Sequence, residues 1–296
     1  MQAVSSMPAL KPLEVGLMFW GEKTPLKTIR AVKALGLRCG HLGFAGHVPL
    51  TPDAAKEWKA ALVEEQFVVT TIWAAYEGES YADGPTVQRT VGFIPPATRE
   101  AREARSREVI DFGAALGISS FACHIGFVPA DTSSPDYTAV REIVRRICDY
   151  AASKDMTFAL ETGQEPAREL KHFIEDVGRD NLKVNFDPAN MILYGTADPI
   201  EALDIVAPHV VSVHAKDGNW PPKDSPGALG TETPLGEGAV GMERFVNKLK
   251  QIGYTGPMAI EREVSLDQDM DDRHKEGLSH LDNIRSAIAL LDRLRT

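Results

Sequence analysis

Short apolar runs, four to seven residues long, recur along the chain. Each is followed by a polar stretch with helix-start signals and then a glycine. Eight of these runs are predicted strands: 13–19, 37–42, 67–73, 119–124, 156–161, 182–187, 210–214 and 258–261. Between them, Thr24-Pro25, Thr51-Pro52, Ser134-Pro135 and Asp198-Pro199 set a capping oxygen before a proline whose missing N–H is no loss in the first helical turn. Gly36, Gly117, Gly178 and Gly253 fall where helices must stop and the chain turn back. Strand, capped helix, glycine, strand is the β/α repeat. Eight repeats in one chain predict a (β/α)8 TIM barrel, a parallel eight-stranded barrel ringed by helices.

Parity sharpens the pattern, because alternate residues of a barrel strand point inward and toward the helices. In the fifth run Thr157, Ala159 and Glu161 share one face and Phe158 and Leu160 the other. Asn185 and Asp187 oppose Val184 and Phe186, Ser212 and His214 oppose Val211 and Val213, and Ala259 and Glu261 oppose Met258 and Ile260. One set is small or polar and the other bulky and apolar. The polar set is assigned inward.

Each of the last four runs thus ends in an inward acid or imidazole: Glu161, Asp187, His214 and Glu261. The first three are 26 and 27 residues apart, one β/α unit each, so they stand at one height on neighbouring strands at the barrel mouth. The last gap, 47 residues, is longer by the Gly/Pro-rich stretch 218–241, read as a loop inserted after the seventh strand. Buried acids that converge without a cation are unfavourable, so the four together point to a metal site. Three carboxylates and one imidazole suit Mn²⁺ first, with Mg²⁺, Co²⁺ or Zn²⁺ as alternatives. Without metal, a ligand charge of about −3 would raise the carboxylate pKa values.

The length of 296 residues fits one barrel domain over 1–296, with 1–12 as a flexible tail. A net charge of −10 and the lack of any basic run argue against nucleic acid as a partner. No apolar run is long enough to span a membrane, and the first twelve residues lack a signal-peptide core, so the cytoplasm is the expected location. Cys39, Cys123 and Cys148 are odd in number with no CxxC pair, and read as small buried hydrophobes. A homo-oligomer is compatible with the sequence.

The segments ALETG, NFDPAN, VHAKD, PLGEG and AIERE, in that order and spacing, resemble the xylose isomerase-like sugar isomerase/epimerase superfamily. The resemblance covers 157–264 closely and the first half only in topology. It implies that Glu161, Asp187, His214 and Glu261 bind the metal and that Glu161 and Glu261 form an acid/base pair. The expected activity is isomerisation or epimerisation of a ketose or related carbohydrate through an enediolate. A lyase or dehydratase that eliminates a group β to the anion, from a keto-sugar, keto-glycoside or keto-inositol, is the alternative. An abasic-site endonuclease is a remote one, since the histidines for a multi-zinc cluster and a basic groove are lacking. The chain departs from ketose epimerases in having Asn190 and Trp220 where a histidine and an arginine are usual. Lys216 offers a cation instead.

Several further residues are substrate-binding candidates. His124 closes the fourth run and could hydrogen-bond a sugar hydroxyl or sit behind the metal, or be structural. Trp20 and Trp73 end the first and third runs, where an indole can stack on a sugar or simply pack. His41 is open to the same two readings. Asn190 and Lys216 complete the set. Glu165 and Glu237 lie in loops, and 267–273 reads as a solvated acidic approach to the last helix that could form part of a lid.

Overall fold

The structure, a computed structural model, describes residues 8–263 and 280–296. Every predicted strand is present within two residues of its expected ends: β1 (Val15–Trp20), β2 (Cys39–Phe44), β3 (Val68–Ala74), β4 (Ser120–Cys123), β5 (Thr157–Glu161), β6 (Leu182–Phe186) and β7 (Val210–Ala215). After two short strands, β8 (Asp217–Asn219) and β9 (Thr231–Thr233), comes the last barrel strand, β10 (Met258–Ile260). The eight long-range pairings are parallel and close a TIM barrel in the order β1-β10-β7-β6-β5-β4-β3-β2. The acidic stretch 267–273 lies outside the described residues.

Ten helices are described: α1 (Pro25–Lys33), α2 (Pro52–Glu65), α3 (Gly84–Thr90), α4 (Arg99–Leu116), α5 (Pro135–Ala152), α6 (Ala167–Val177), α7 (Pro188–Leu193), α8 (Pro199–Val206), α9 (Met242–Gln251) and α10 (His280–Arg295). Thr51, Ser134 and Asp198 accept backbone amides two or three residues ahead, as their capping position requires. Thr24 holds the same position without a side-chain bond. Gly117 and Gly178 end α4 and α6 at φ +86° and +63°, a left-handed turn that a side chain would strain.

The parity assignment explains the two-layered interior. Phe158, Leu160, Val184, Phe186, Val213, Met258 and Ile260 pack outward in the main core, against helices such as α6, which presents Leu170, Phe173, Ile174 and Val177 at helical spacing. Met18, Trp73, Ala122 and Ala159 form a separate small cluster inside the barrel. Val211 departs from expectation, because it is the extra residue where the β6/β7 register skips between Val184 and Asn185. It is left 36% exposed. A second skip, between Gly40 and His41, lies in the β2/β3 pairing. Such bulges re-aim side chains at barrel rims, and here they fall at Asn185 and His41, both of which prove to face the site. The three cysteines are free and buried.

The stretch 218–241 is more ordered than a bare loop. β8 and β9 pair antiparallel within and beside it. The Asp217 carboxylate accepts the amides of Gly218, Gly236, Gly238 and Val240 at 2.9–3.1 Å. A Cβ on Gly238 would lie 2.2 Å from Asp217 Oδ1, so the PLGEG run needs glycine to bring its amides onto that carboxylate. Glu232 on β9 then pairs with Arg262 and accepts the Glu263 amide at 3.0 Å, fixing the chain just past Glu261.

Candidate metal centre

The ends of β5, β6, β7 and β10 bring Glu161, Asp187, His214 and Glu261 together, each buried or nearly so. One ligand atom from each lies within 4.8 Å of the other three. His214 Nδ1 stands at the centre, 3.1 Å from Glu161 Oε1, 3.2 Å from Glu261 Oε2 and 3.9 Å from Asp187 Oδ2. Glu261 extends the barrel ladder through its amide to the Ala215 carbonyl, 3.1 Å away.

One placement corrects the sequence reading. Asp187 is not the last residue of a strand, since β6 ends at Phe186. It is the N-cap of α7, with Pro188 in the first turn. Its Oδ1 accepts the amides of Ala189 and Asn190 at 2.7 and 3.1 Å, while Oδ2 is buried with no hydrogen-bond partner. The helix start orients the carboxylate so that one oxygen is consumed locally and the other is aimed at the cluster. Thr162 locks this corner by donating to the Asp187 carbonyl and accepting its amide.

The residues around the four settle their orientation. Asn185 donates to Glu161 Oε2, and Asn190 Nδ2 donates to Glu161 Oε1 at 3.3 Å. The buried Lys216 ammonium lies 3.2 Å from Glu261 Oε2 and 3.8 Å from Asp187 Oδ2, donates to Asn190 Oδ1 at 3.2 Å, and pairs with Glu263. His41, fully buried, puts Nδ1 3.1 Å from His214 Nε2. The sequence marked His41 only weakly and gave no sign of Glu263. The Trp73 and His41 rings lie 5.5 and 5.1 Å from that of His214.

His124 is one step further out. It is 5.4 Å from Trp73 ring to ring, with Gln164 Nε2 3.1 Å from its Nδ1, and burial pulls its pKa down to about 4. Of the two readings open for Trp73, packing is the one its burial in the barrel interior matches, and there it walls the site. Trp20 shares the inward parity of Met18 but stands 47% exposed at the mouth. Among the described residues it makes no polar or ring contact with the four.

The electrostatics ask for a cation. Burial, together with the charges of Glu161 and Glu261, raises the Asp187 pKa far above the carboxylate range despite Lys216. Burial likewise raises Glu161, partly offset by His214. Glu261 runs the other way: burial would raise it, but His214 and Lys216 hold it well below the usual range. For His214, burial is outweighed by Glu161 and Glu261, which lift the imidazole far above its ordinary value. The expected mutual repulsion therefore falls on Asp187 and Glu161, whereas Glu261 is relieved by a lysine that a count of ligands omits. Lys216 also pairs with Glu263, so the three ligand carboxylates keep an excess of negative charge that a divalent ion would offset.

The donor set fits such an ion. Ligands at about 2.1 Å place cis neighbours roughly 3 Å apart and trans neighbours roughly 4.2 Å apart. The spacing of the four atoms needs little contraction to match, and the unpartnered Asp187 Oδ2 is the oxygen an ion would satisfy.

Glu165 lies apart from this cluster. It accepts the Val128 amide at 2.9 Å, and burial pushes its carboxyl up to about 7 from an ordinary 4.5. Between those values the folded chain binds more protons than the unfolded one, so stability falls as pH rises through the window. Glu165→Gln keeps an acceptor for Val128 and removes the titration. The variant is expected to exceed the parent in denaturant-measured stability by up to roughly 3 kcal/mol at pH 8, with the gap closing near pH 4.5. A gap independent of pH would contradict the assignment.

A family model described as xylose isomerase-like TIM barrel matches residues 29–284. The chain belongs to this family. Among solved structures, a xylose isomerase domain protein from Planctomyces limnophilus is 39% identical with a TM-score of 0.86, over 96% of this chain and 98% of that one. More distant solved structures share the fold at lower identity. D-psicose 3-epimerase from Clostridium cellulolyticum H10 is 17% identical and 3-keto-D-glucoside 4-epimerase YcjR from Escherichia coli 15%, each with a TM-score of 0.67 over 95% of this chain and 99% of the other. An uncharacterized protein of Methanocaldococcus jannaschii is 25% identical over 198 residues, and YihM of E. coli 26% over 174. These alignments cover 63% and 54% of this chain and span 65% and 51% of the relatives' lengths. Among the described residues no helix is long and apolar enough to cross a membrane.

Proposed function

We propose that this xylose isomerase-like barrel is a divalent-metal-dependent sugar isomerase or epimerase in which Glu161 and Glu261 move the proton. The observation that carries the reading is the placement of these two carboxylates on either side of His214 Nδ1, at 3.1 and 3.2 Å, within a cluster that also aims Asp187 Oδ2 inward. The sugar-epimerase neighbours support a small carbohydrate as substrate.

Glu161, Asp187, His214 and Glu261 would hold the ion, with Mn²⁺ favoured by the oxygen-rich set and Mg²⁺ close behind. When bound, a divalent ion supplies a Lewis acid that draws charge from a substrate carbonyl. Glu261, beside His214 and the Lys216 ammonium, is suited to take a proton from the carbon beside that carbonyl. Glu161, held by Asn185 and Asn190, is suited to exchange one on the opposite face. Return to the same carbon inverts it, and return to the neighbouring carbon moves the carbonyl. Asn185 and Asn190 hold Glu161 in place, and Trp73 excludes water from the His214 side.

The test is solvent exchange. Incubation with Mn²⁺ in D₂O and a panel of free, phosphorylated and oxidised sugars is expected to place deuterium at a carbon next to the carbonyl in at least one sugar. Exchange coupled to loss of a β substituent would assign the lyase reading. A metal-loaded protein that exchanges nothing across the panel would contradict both.

His41 is given a positioning role by its contact with His214 Nε2: accepting that N–H leaves the Nδ1 lone pair free for the ion. His41→Ala is expected to weaken Mn²⁺ binding in calorimetry by ~10–100-fold, and His41→Asn, whose Oδ1 stands near the lost Nδ1, to recover much of it. Equal affinity in all three proteins would remove His41 from the design.

A further inference from the structure

Three stretches that follow barrel strands carry an aromatic residue a few positions beyond a residue of the site. Phe127 follows His124, Tyr194 follows Asn190, and Trp220 follows Lys216. Since these loops radiate outward from the strand ends, residues three to four places further along lie one layer outside the chemistry. The three aromatics line a single cavity of about 620 Å³, within the range of about 300–1,000 Å³ typical of ligand pockets.

Tyr194 stands between the cavity and the residues around the site. Its ring meets Phe127 edge-on at 5.7 Å, and its hydroxyl lies 3.4 Å from Gln164 Nε2, the same amide that touches His124. Trp220 is 46% exposed, so an indole face remains open. Gln88, Lys223 and Ser225 add hydrogen-bonding groups to the lining. Flat aromatic faces combined with a few amide, ammonium and hydroxyl groups match a sugar ring, which is apolar on its C–H faces and polar around its edge.

The outer wall is built into the fold. The Gly84 amide donates to the Gly227 carbonyl at 2.9 Å, tying the inserted stretch to α3, and the Gly230 amide donates to the Leu193 carbonyl at 2.7 Å, tying it to α7. A Cβ on Gly230 would lie 2.0 Å from the Asn219 carbonyl oxygen, so the return past Trp220 requires glycine. The insertion that lengthens the last β/α gap is therefore the element that encloses this cavity.

We propose that the cavity is a subsite for the second ring of a glycoside, whose first ring, the one joined through its anomeric carbon, reacts at Glu161 and Glu261. The proposal rests on the function proposed above and narrows its substrate class. A ring joined through its anomeric carbon cannot open to expose a carbonyl there. The enolisable carbonyl must instead be a ketone at a ring carbon, and the substrate is a keto-glycoside. A separate dehydrogenase must supply it by removing a hydride from a ring C–H to its own acceptor and a proton from the attached hydroxyl. The reaction at the barrel then adds and removes only protons.

The experiment compares keto-disaccharides, each with one ring hydroxyl oxidised to a ketone, with the free ketoses, using the Mn²⁺-loaded enzyme and deuterium uptake from D₂O. Uptake is expected in one or more keto-disaccharides at a higher kcat/KM than in any free ketose. Trp220→Ala is expected to raise KM for that disaccharide on the order of 10-fold with kcat changed less than about 2-fold, and Trp220→Phe to restore most of the affinity. Uptake confined to free ketoses, or an unchanged KM in Trp220→Ala, would overturn the subsite and leave the function standing. No uptake in either set, with metal bound, would overturn the function itself and the subsite with it.

Discussion

Glu161→Gln and Glu261→Gln are each expected to lower turnover by at least ~10² at saturating metal, because each removes a proton carrier while keeping a side chain of the same shape. Metal must be saturating, since both residues also contribute ligand oxygens, and a drop cured by more Mn²⁺ would report lost affinity alone. The two losses should not add. If one carboxylate takes a proton and the other gives one in the same turnover, breaking either step stops it, and the double variant is expected to be little slower than the worse single one. A variant at either position with unimpaired turnover would end the proton-transfer assignment while leaving the barrel and the ion site untouched.

The second large effect concerns Asp187. Asp187→Asn retains an oxygen to cap α7 through the Ala189 and Asn190 amides, but it replaces the unpartnered Oδ2 with a neutral group. Metal affinity is expected to fall by more than ~10², beyond the 10–100-fold typical of residues behind the ligands. The apo variant should be no less stable than the parent, because the buried charge is gone. An ion at about 100 times its Kd stabilises the folded chain by about 2.7 kcal/mol, which for a chain of this size raises Tm by about 4 °C. Scanning calorimetry with and without Mn²⁺ should show that rise in the parent and none in Asp187→Asn. Binding should also release protons, since Asp187, Glu161 and His214 all have raised pKa values and must ionise or become neutral to ligate. Affinity should accordingly increase with pH.

The strand runs, the helix starts and the four converging residues were legible because each leaves a local mark: apolar runs, hydroxyl or carboxylate before proline, inward parity. Asp187-Pro188 carries the same cap signature as Asp198-Pro199, and reading it would have placed Asp187 on a helix start and explained why one of its oxygens stays free. Other features were out of reach because they depend on strands far apart in the chain. His41 meets His214 across the barrel, after a register skip that no periodicity announces. Lys216 was flagged as a cation, but its pairing with Glu263 and its effect on Glu261 follow from the β8–β9 hairpin and the Glu232–Arg262 pair that fix the neighbouring backbone. For Trp73 stacking and packing both stay open in the sequence, because strand-end position does not reveal what covers a ring.

The most direct test of the account is anomalous diffraction from crystals grown with Mn²⁺, collected on either side of the manganese absorption edge. The expected result is one peak per chain, about 2.0–2.4 Å from oxygens of Glu161, Asp187 and Glu261 and from His214 Nδ1. No peak, or a peak that leaves either glutamate turned away, would contradict it.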